Sequence, residues 1–221
     1  MTRTTTDLDQ PELLAILERA RTLGFLGPGP LRDHLQHALR YRTAIASIAG
    51  ARTLSPAIQG RLDVLDLGSG AGLPGLPLAL WLPDCHLALL DSGQRRCDFL
   101  RMAVSDLRLE DRVSVAEGRA EKLAHLVGMR ARYDVVVSRG FGPPALTVEC
   151  GLGFVKDGGV LLVSEPPSRR PWADLSLRGV DLRYSPEYIG LAALTVVGDT
   201  TATPYPRNIK SMRREPLFAL E

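Results

Sequence analysis

The sequence predicts an α/β fold in which helices cover both faces of a mostly parallel sheet. From Leu62 onwards, short apolar runs alternate with helical patterns, an order typical of parallel sheets. A stretch with four glycines, Asp63 to Leu80, joins the first strand of this series to its first helix. The second strand ends in an acid, Asp91. These three observations predict a ligand site at the carboxyl edge of the sheet.

Two helices are predicted before the sheet, within an N-terminal extension of residues 1–60. The first covers residues 9–24, with Asp9 as its cap. Gly24 is placed to stop this helix, and the sequence GPGP at 27–30 is a break before a second helix. Ser47–Gly60 is expected to be a loop. The residues expected on the buried faces are Leu13, Ile16, Leu17 and Ala20 in the first helix, and Leu31, Leu35, Ala38 and Leu39 in the second.

The main domain is predicted over residues 61–200, with seven strands. The expected strands are 62–67, 86–90, 112–116, 133–138, 159–164, 180–185 and 191–198, and the helices between them are about 74–82, 94–107, 120–127 and 143–155. A short connection separates the last two strands, which predicts an antiparallel addition to a parallel sheet. Residues 201–221 contain three prolines and are expected to form an extended tail packed on the domain.

Composition narrows the class of protein. The 221 residues are 45% hydrophobic and carry a formal charge of +2, which neither requires nor excludes a nucleic-acid partner. The three cysteines are scattered and form no metal-binding motif, which indicates a reduced cytosolic compartment. The N-terminus lacks the pattern of a signal peptide, and no apolar run approaches the roughly 20 residues of a membrane span. We expect a cytoplasmic protein without a metal or a membrane partner.

The glycine loop fits two kinds of adenosyl ligand. Dinucleotides bring an anionic pyrophosphate, whereas S-adenosylmethionine brings a sulfonium, an ammonium and a carboxylate. Asp66 ends the first strand just before Gly68 and Gly70. A carboxylate there would repel pyrophosphate and attract the cationic end of S-adenosylmethionine. The alternative is that Asp66 only accepts hydrogen bonds from the amides of the loop.

Two further positions follow the next strands. Asp91 is placed to accept both ribose hydroxyls, and it is equally compatible with capping the following helix. The sequence GRAEKL at 118–123 falls where adenine would lie, with Ala120 leaving room for the ring and Glu121 meeting its amino edge. The alternative for Glu121 is an exposed acid in the first turn of a helix.

The fourth strand ends in Ser138, Arg139 and Gly140, beside the expected point of methyl transfer. Arg139 is a candidate to anchor the carboxylate of the cofactor, or to hold a phosphate or base of the substrate. No cysteine stands there, which disfavours a thiolate adduct, and Cys150 is expected in the core. His34 and His37 share a helix face, but no third metal ligand is visible.

Four motifs resemble the RsmG (GidB) family of bacterial 16S rRNA guanine-N7 methyltransferases. They are VLDLGSGAGLPGLPLAL, LLDSGQRRCDFL, GRAEKL and DVVVSRGF, and the tail YPRNIKSMRREPL is also similar to the end of that family. The resemblance implies that S-adenosylmethionine is contacted by Gly68, Leu73, Ala120, Glu121 and Arg139. It implies a class I, Rossmann-like methyltransferase fold. The partner would be 16S rRNA or a precursor of the small ribosomal subunit.

We expect a monomeric enzyme that has no catalytic base and uses Arg139 for positioning. Guanine N7 has a free lone pair, so it attacks the sulfonium methyl without first losing a proton. Two alternatives stay open. One is a methyltransferase of the same fold acting on a small molecule or another RNA, and the other is a non-catalytic module that binds S-adenosylmethionine.

Overall fold

The computed structural model of the chain describes residues 8–53, 61–165, 172–177 and 179–218. Within this part of the chain, eight strands form one sheet. The strands are β1 (Leu62–Leu67), β2 (Cys85–Asp91), β3 (Val113–Glu117), β4 (Tyr133–Ser138), β5 (Val155–Ser164), β6 (Leu175–Leu177), β7 (Val180–Ser185) and β8 (Leu191–Val197). Their spatial order is β3-β2-β1-β4-β5-β8-β7-β6.

The first five strands in this order pair in parallel, and β8, β7 and β6 add antiparallel. The predicted sheet and its antiparallel addition are therefore confirmed. Seven strands were predicted and eight are present in the described chain. The additional strand, β6, has only three residues, too few to show an alternating pattern. Since β1 and β4 are central neighbours on either side of the reversal in strand order, their carboxyl ends open a crevice for a ligand.

The helices of the described chain lie close to the predicted positions. They are α1 (Pro11–Thr22), α2 (Leu31–Thr53), α3 (Gly75–Trp81), α4 (Gln94–Asp106), α5 (Ala120–Leu123), α6 (Pro144–Leu152) and α7 (Ile209–Arg214). The prediction of a loop from Ser47 onwards was wrong for residues 47–53, because α2 continues to Thr53 and buries Ile48. Residues 54–60 of that prediction lie outside the described residues.

The start of α1 also differs from its prediction. Gln10, not Asp9, is the N-cap residue, and the Gln10 side chain makes no capping hydrogen bond. Pro11 occupies the first turn, where its missing N–H leaves no donor unsatisfied. The expected apolar face is confirmed, because Leu13 and Leu17 are fully buried.

Apolar side chains fill the space on both faces of the sheet. On one face, α1 to α4 pack over alternate strand residues such as Val64 and Leu87. On the other face, α6 and α7 cover the residues between them, such as Leu65 and Leu90. The strands are thus buried on both sides, as parallel strands require. In the part of the chain that the structure describes, no helix is long and apolar enough to cross a bilayer.

The C-terminal tail is fastened to the domain by polar contacts. The Arg130 guanidinium donates to the backbone carbonyls of Thr200, Thr203 and Tyr205, with N···O distances of 2.7, 2.7 and 2.9 Å. Within the tail, Ile209–Arg214 forms α7, so the prediction of an extended segment was wrong for these residues. Asn208 caps that helix by accepting a hydrogen bond from the Ser211 amide, a local signal that sequence reasoning missed.

Candidate functional site

The glycine loop connects β1 to α3 at the carboxyl edge of the sheet. It is tied to the neighbouring strand because the amides of Gly68 and Ser69 both donate to the Leu90 carbonyl, at 2.9 Å. Gly68 has a φ of +78°, and a Cβ added there would lie 2.6 Å from the Phe141 ring. Glycine is therefore required at this position by its backbone conformation and by the close approach of that ring.

Asp66 lies beneath this loop and is fully buried. Its Oδ2 accepts a hydrogen bond from the Gly75 amide at 3.0 Å. Its Oδ1 is also buried, and none of the described residues gives it a hydrogen bond. Burial raises the pKa of Asp66 to about 7. The carboxylate thus shapes the loop, as the simpler interpretation predicted, and it keeps one acceptor atom available to a ligand.

Asp91 connects three parts of the site. Its Oδ2 accepts from the Gly70 amide at 3.0 Å, and its Oδ1 accepts from the Gly93 amide and Arg96 Nε, both at 2.8 Å. Burial opposes ionisation, but Arg96 and the two amides outweigh it and lower the pKa of Asp91. The N-cap residue of α4 is Gly93, so Asp91 supports the start of that helix through the Gly93 amide.

A cavity of about 470 Å³ opens beside the loop. Four predicted site residues line it: Gly68, Asp91, Ala120 and Glu121. The other lining residues are Leu90, Ser92, Arg96, Gly118, Arg119, Gly140, Phe141, Gly142, Pro143, Leu146, Cys150, Ile209 and Arg213. The cavity has the size of a small-molecule site.

The remaining predicted residues do not line the cavity. Gly70 contributes its amide to Asp91 and Leu73 is buried in the apolar core. Arg139 contacts His34 on α2, and Asp66 accepts a hydrogen bond from the Gly75 amide at the start of α3. The structure therefore divides the predicted residues into a cavity group and a group beneath the loop.

At the far end of the cavity, Ala120 begins α5 and is buried. The Glu121 side chain is only 10% exposed, and its Oε1 accepts from Arg119 Nε at 3.0 Å. The interpretation of Glu121 as a solvent-exposed acid was wrong. Glu121 lines the cavity, and its carboxylate is paired with Arg119.

Arg139 follows β4 and contacts the N-terminal helix α2. Its Nη2 donates to His34 Nδ1 at 2.7 Å. Its Nη1 is buried and has no hydrogen-bond partner within the described ranges. Burial lowers the pKa of Arg139 from its usual value, although the group stays cationic at neutral pH. The Nη1 group of Arg139 is thus a cationic hydrogen-bond donor available to a ligand at the end of β4.

Several lining residues were missed by sequence reasoning. Phe141 and Gly142 belong to the SRGFG segment that contains Arg139, so the position of this segment was the available signal. Ile209 and Arg213 come from α7 and carry no local signal, because only the docking of the tail brings them to the cavity. Cys150 is confirmed as a core residue, and burial raises the pKa of its thiol to about 12.

Comparison with solved structures defines the class of protein. A protein from Staphylococcus aureus, provisionally described as a caffeoyl-CoA O-methyltransferase, superposes with a TM-score of 0.55 at 11% identity. The match covers 86% of this chain and 93% of that one. The mostly parallel sheet, with the glycine loop after β1 and an acid at the end of β2, is consistent with this class of fold. The chain has the class I methyltransferase fold.

Sequence comparison defines the family. Residues 36–165, more than half of the chain, match the profile of rRNA small subunit methyltransferase G (GidB), and the chain belongs to this family. Proteins named ribosomal RNA small subunit methyltransferase G are similar in Clostridium botulinum (strain Loch Maree), at 40% identity over 106 residues, and in Frankia casuarinae, at 37% over 115 residues. These matches cover 48% and 52% of this chain but only 44% and 43% of the relatives. The chain thus spans less than half the length of the curated relatives it matches.

Proposed function

We propose that this chain is an S-adenosylmethionine-dependent methyltransferase that modifies N7 of a guanine in 16S rRNA. The proposed substrate is 16S rRNA, free or within a precursor of the small ribosomal subunit. The proposed setting is the cytoplasm, where the protein acts as a monomer. Membership of the methyltransferase G family supports the substrate class, and the geometry of the site supports the cofactor.

One observation carries the choice of cofactor. Asp66 Oδ1 and Nη1 of the cationic Arg139 are buried atoms, and neither has a hydrogen-bond partner in the described chain. Burial raises the pKa of Asp66 to about 7, so this carboxyl is partly ionised at neutral pH, and Arg139 favours its ionised form. Leaving buried charged groups unpaired is costly. A ligand that bears an ammonium and a carboxylate, as the methionine end of S-adenosylmethionine does, would satisfy both groups.

The cavity supplies the complementary half of the proposed site. Asp91 Oδ2 accepts a single protein hydrogen bond, so this oxygen retains capacity for a ribose hydroxyl. Ala120 leaves space at the opposite end, where Glu121 presents a carboxylate to an exocyclic amine. We therefore place the adenosine in the cavity and the methionine beneath the glycine loop.

The residues of this site position reactants and transfer no proton. S-adenosylmethionine, when bound, supplies a methyl group on a sulfonium, which guanine N7 attacks through its free lone pair. Among the described residues that line the cavity, none is a histidine. Arg139 would fix an anionic group beside the reacting atoms, and Phe141 would exclude water above Gly68. Alignment and exclusion of water then supply the rate enhancement.

The RNA must present the base outside a regular helix, because N7 lies in the deep major groove of A-form RNA. Three arginines, Arg96, Arg119 and Arg213, line the cavity. Arg213 lies on the exposed side of α7. Arg96 and Arg119 are paired with Asp91 and Glu121, so the exposed Arg213 is the proposed contact for the phosphate of an unpaired or flipped base near the loop.

The test is transfer of a labelled methyl group, followed by mass mapping of the product. Purified protein is incubated with labelled S-adenosylmethionine and either small ribosomal subunits or 16S rRNA that lacks the modification. We expect one labelled guanine whose methyl group is on N7. Label only in small molecules or in another RNA would support the first alternative, and binding without transfer to any acceptor would support the non-catalytic module.

A further inference from the structure

A hydrogen bond connects the N-terminal helix to the end of β4. Arg139 Nη2 lies 2.7 Å from His34 Nδ1, across 105 residues of sequence. A guanidinium can only donate, so Nδ1 must present its lone pair. This requires a neutral imidazole with its proton on Nε2, and it defines the protonation state in which the contact exists.

The nature of this partner distinguishes Arg139 from the other arginines at the site. Arg96 pairs with the Asp91 carboxylate at 2.7 Å, and Arg119 pairs with Glu121 at 3.0 Å. No described carboxylate lies within ion-pair distance of Arg139. A carboxylate would orient a guanidinium and neutralise its charge, whereas a neutral imidazole orients it and leaves the charge uncompensated.

The residues around Arg139 favour a fixed orientation of its side chain. Tyr41, two turns after His34 on α2, is fully buried and donates through its hydroxyl to the Ser138 carbonyl at 2.7 Å. That carbonyl immediately precedes Arg139, so α2 holds both the backbone and the side chain of this segment. Arg139 Nη1, the other terminal nitrogen, is buried without a hydrogen bond in the described part of the protein.

We propose that His34 is a positioning residue, which aims Arg139 at an anionic group of the ligand while leaving its charge available. The inference rests on the proposed function of Arg139 in binding the cofactor. It also gives α2 a role in the site, since a helix outside the parallel sheet sets the orientation of a binding group.

The hydrogen bond between Arg139 and His34 is expected to depend on pH. Protonation of His34 removes the Nδ1 lone pair and places two cations in contact. The ring is faced by Arg139 at the end of β4, Arg21 on α1, and Asp33 and His37 on α2. Burial and then Arg139 lower the pKa of His34 from its usual 6.5. The contact is therefore intact at neutral pH and is lost as the pH falls below that range.

The first measurement does not depend on activity. Long-range proton–nitrogen NMR spectra of the histidine rings in the full chain report the tautomer and the pKa of each ring. We expect His34 to be the Nε2–H tautomer in the wild type and its pKa to rise in Arg139→Ala. An Nδ1–H tautomer, or an unchanged pKa in the variant, would overturn the proposal even if methyl transfer is observed.

The second measurement is the affinity for S-adenosylmethionine by titration calorimetry. His34→Phe keeps a planar ring without an acceptor and should raise Kd about fivefold, the effect of one hydrogen bond. His34→Asn places an amide oxygen near the position of Nδ1 and should restore Kd to within about twofold. His37→Phe, which removes the next imidazole on α2, is the matched control and should leave Kd unchanged.

A double variant separates positioning from stability. His34→Phe with Arg139→Ala should bind no more weakly than Arg139→Ala alone, because His34 acts through Arg139. Additive losses would contradict the proposal. If the wild type binds no S-adenosylmethionine at all, the proposed function fails, and the tautomer and pKa of His34 still decide whether the imidazole orients Arg139.

Discussion

Arg207 and Glu149 form a two-point ion pair that joins the C-terminal tail to α6. Arg207 Nε and Nη2 donate to Glu149 Oε1 and Oε2 at 2.8 and 2.7 Å, and the Glu149 side chain is 1% exposed. The Arg207 amide also donates to Glu149 Oε1, at 2.8 Å. Because Ile209 and Arg213 follow directly and line the cavity, this pair connects the stability of the tail to the site.

Arg207→Ala should lower the free energy of unfolding by about 3 kcal/mol, because it leaves a buried carboxylate without its cation. Denaturant unfolding is the measurement. Arg214→Ala is the control, since Arg214 and Glu215 form a pair whose side chains are 75% and 67% exposed. Loss of this exposed pair should lower the free energy of unfolding by less than about 0.5 kcal/mol. Equal effects of the two variants would show that the tail is not held by Glu149.

Gly68→Val should abolish binding of S-adenosylmethionine. The substitution places a branched side chain at a φ of +78° and against the Phe141 ring. Calorimetry on the folded variant measures the loss. Gly128→Val controls for backbone strain, because Gly128 has a φ of +87° and nothing within 4 Å of an added Cβ. Near-normal affinity of Gly68→Val would exclude the glycine loop as the binding site.

Asp91→Ala should weaken binding of S-adenosylmethionine at least about tenfold, since charge-assisted hydrogen bonds contribute roughly 1.5–3 kcal/mol each. The variant loses the proposed ribose acceptor and the support of the Gly70 amide. Asp98→Ala, which removes an exposed acid on α4 that pairs with Arg101, should leave Kd unchanged. An unaltered Kd in Asp91→Ala would place the ribose elsewhere.

Glu121→Ala should weaken binding of S-adenosylmethionine and of S-adenosylhomocysteine by the same factor, about three- to tenfold. Both ligands carry the adenine that Glu121 is proposed to contact, and they differ only at sulfur. Competition measurements with the two ligands provide the comparison. Glu117→Ala is the control, because Glu117 pairs with Arg101 on the surface. A loss confined to S-adenosylmethionine would move Glu121 away from the adenine.

Cofactor affinity should rise with pH through about 7, the pKa to which burial raises Asp66. An ammonium group pairs only with the ionised carboxylate, so binding near pH 6.5 should release a proton. Calorimetry in buffers of different ionisation enthalpy measures this release. In Asp66→Asn the proton release should disappear and the affinity should fall. Release that persists in the variant would assign the proton to another group.

The same pKa predicts a decline in stability with increasing pH. The pKa of Asp66 is higher in the folded state than the value of about 3.9 expected when the chain is unfolded. Its contribution to stability is therefore fully present below about pH 3.9 and is lost as the pH rises through about 7. The difference in free energy of unfolding between Asp66→Asn and the wild type should therefore increase in favour of the variant by at least about 1 kcal/mol between pH 5 and pH 8. Asp157→Asn, at an exposed acid that accepts from the Gly198 amide, should show no such trend.

Most helices and strands, and four of the residues that line the cavity, could be predicted from the sequence. Strand and helix periods and the glycine loop are local properties of the chain, so they predicted β1 to β5 and the placement of Asp91 and Ala120 at one edge. The carboxyl ends of neighbouring parallel strands must meet there. Local patterns also predicted the buried face of α1, because burial of an amphipathic helix follows its apolar spacing.

Contacts between residues that are distant in the sequence could be seen only in the folded structure. No local pattern indicates that His34 accepts a hydrogen bond from Arg139, that α7 brings Ile209 to the cavity, or that Leu73 faces the core. The tertiary structure also sets the protonation of Asp66, because burial is the main cause of the raised pKa of this carboxyl. Such contacts depend on how helices dock on the sheet, and that docking is set by the packing of many side chains together.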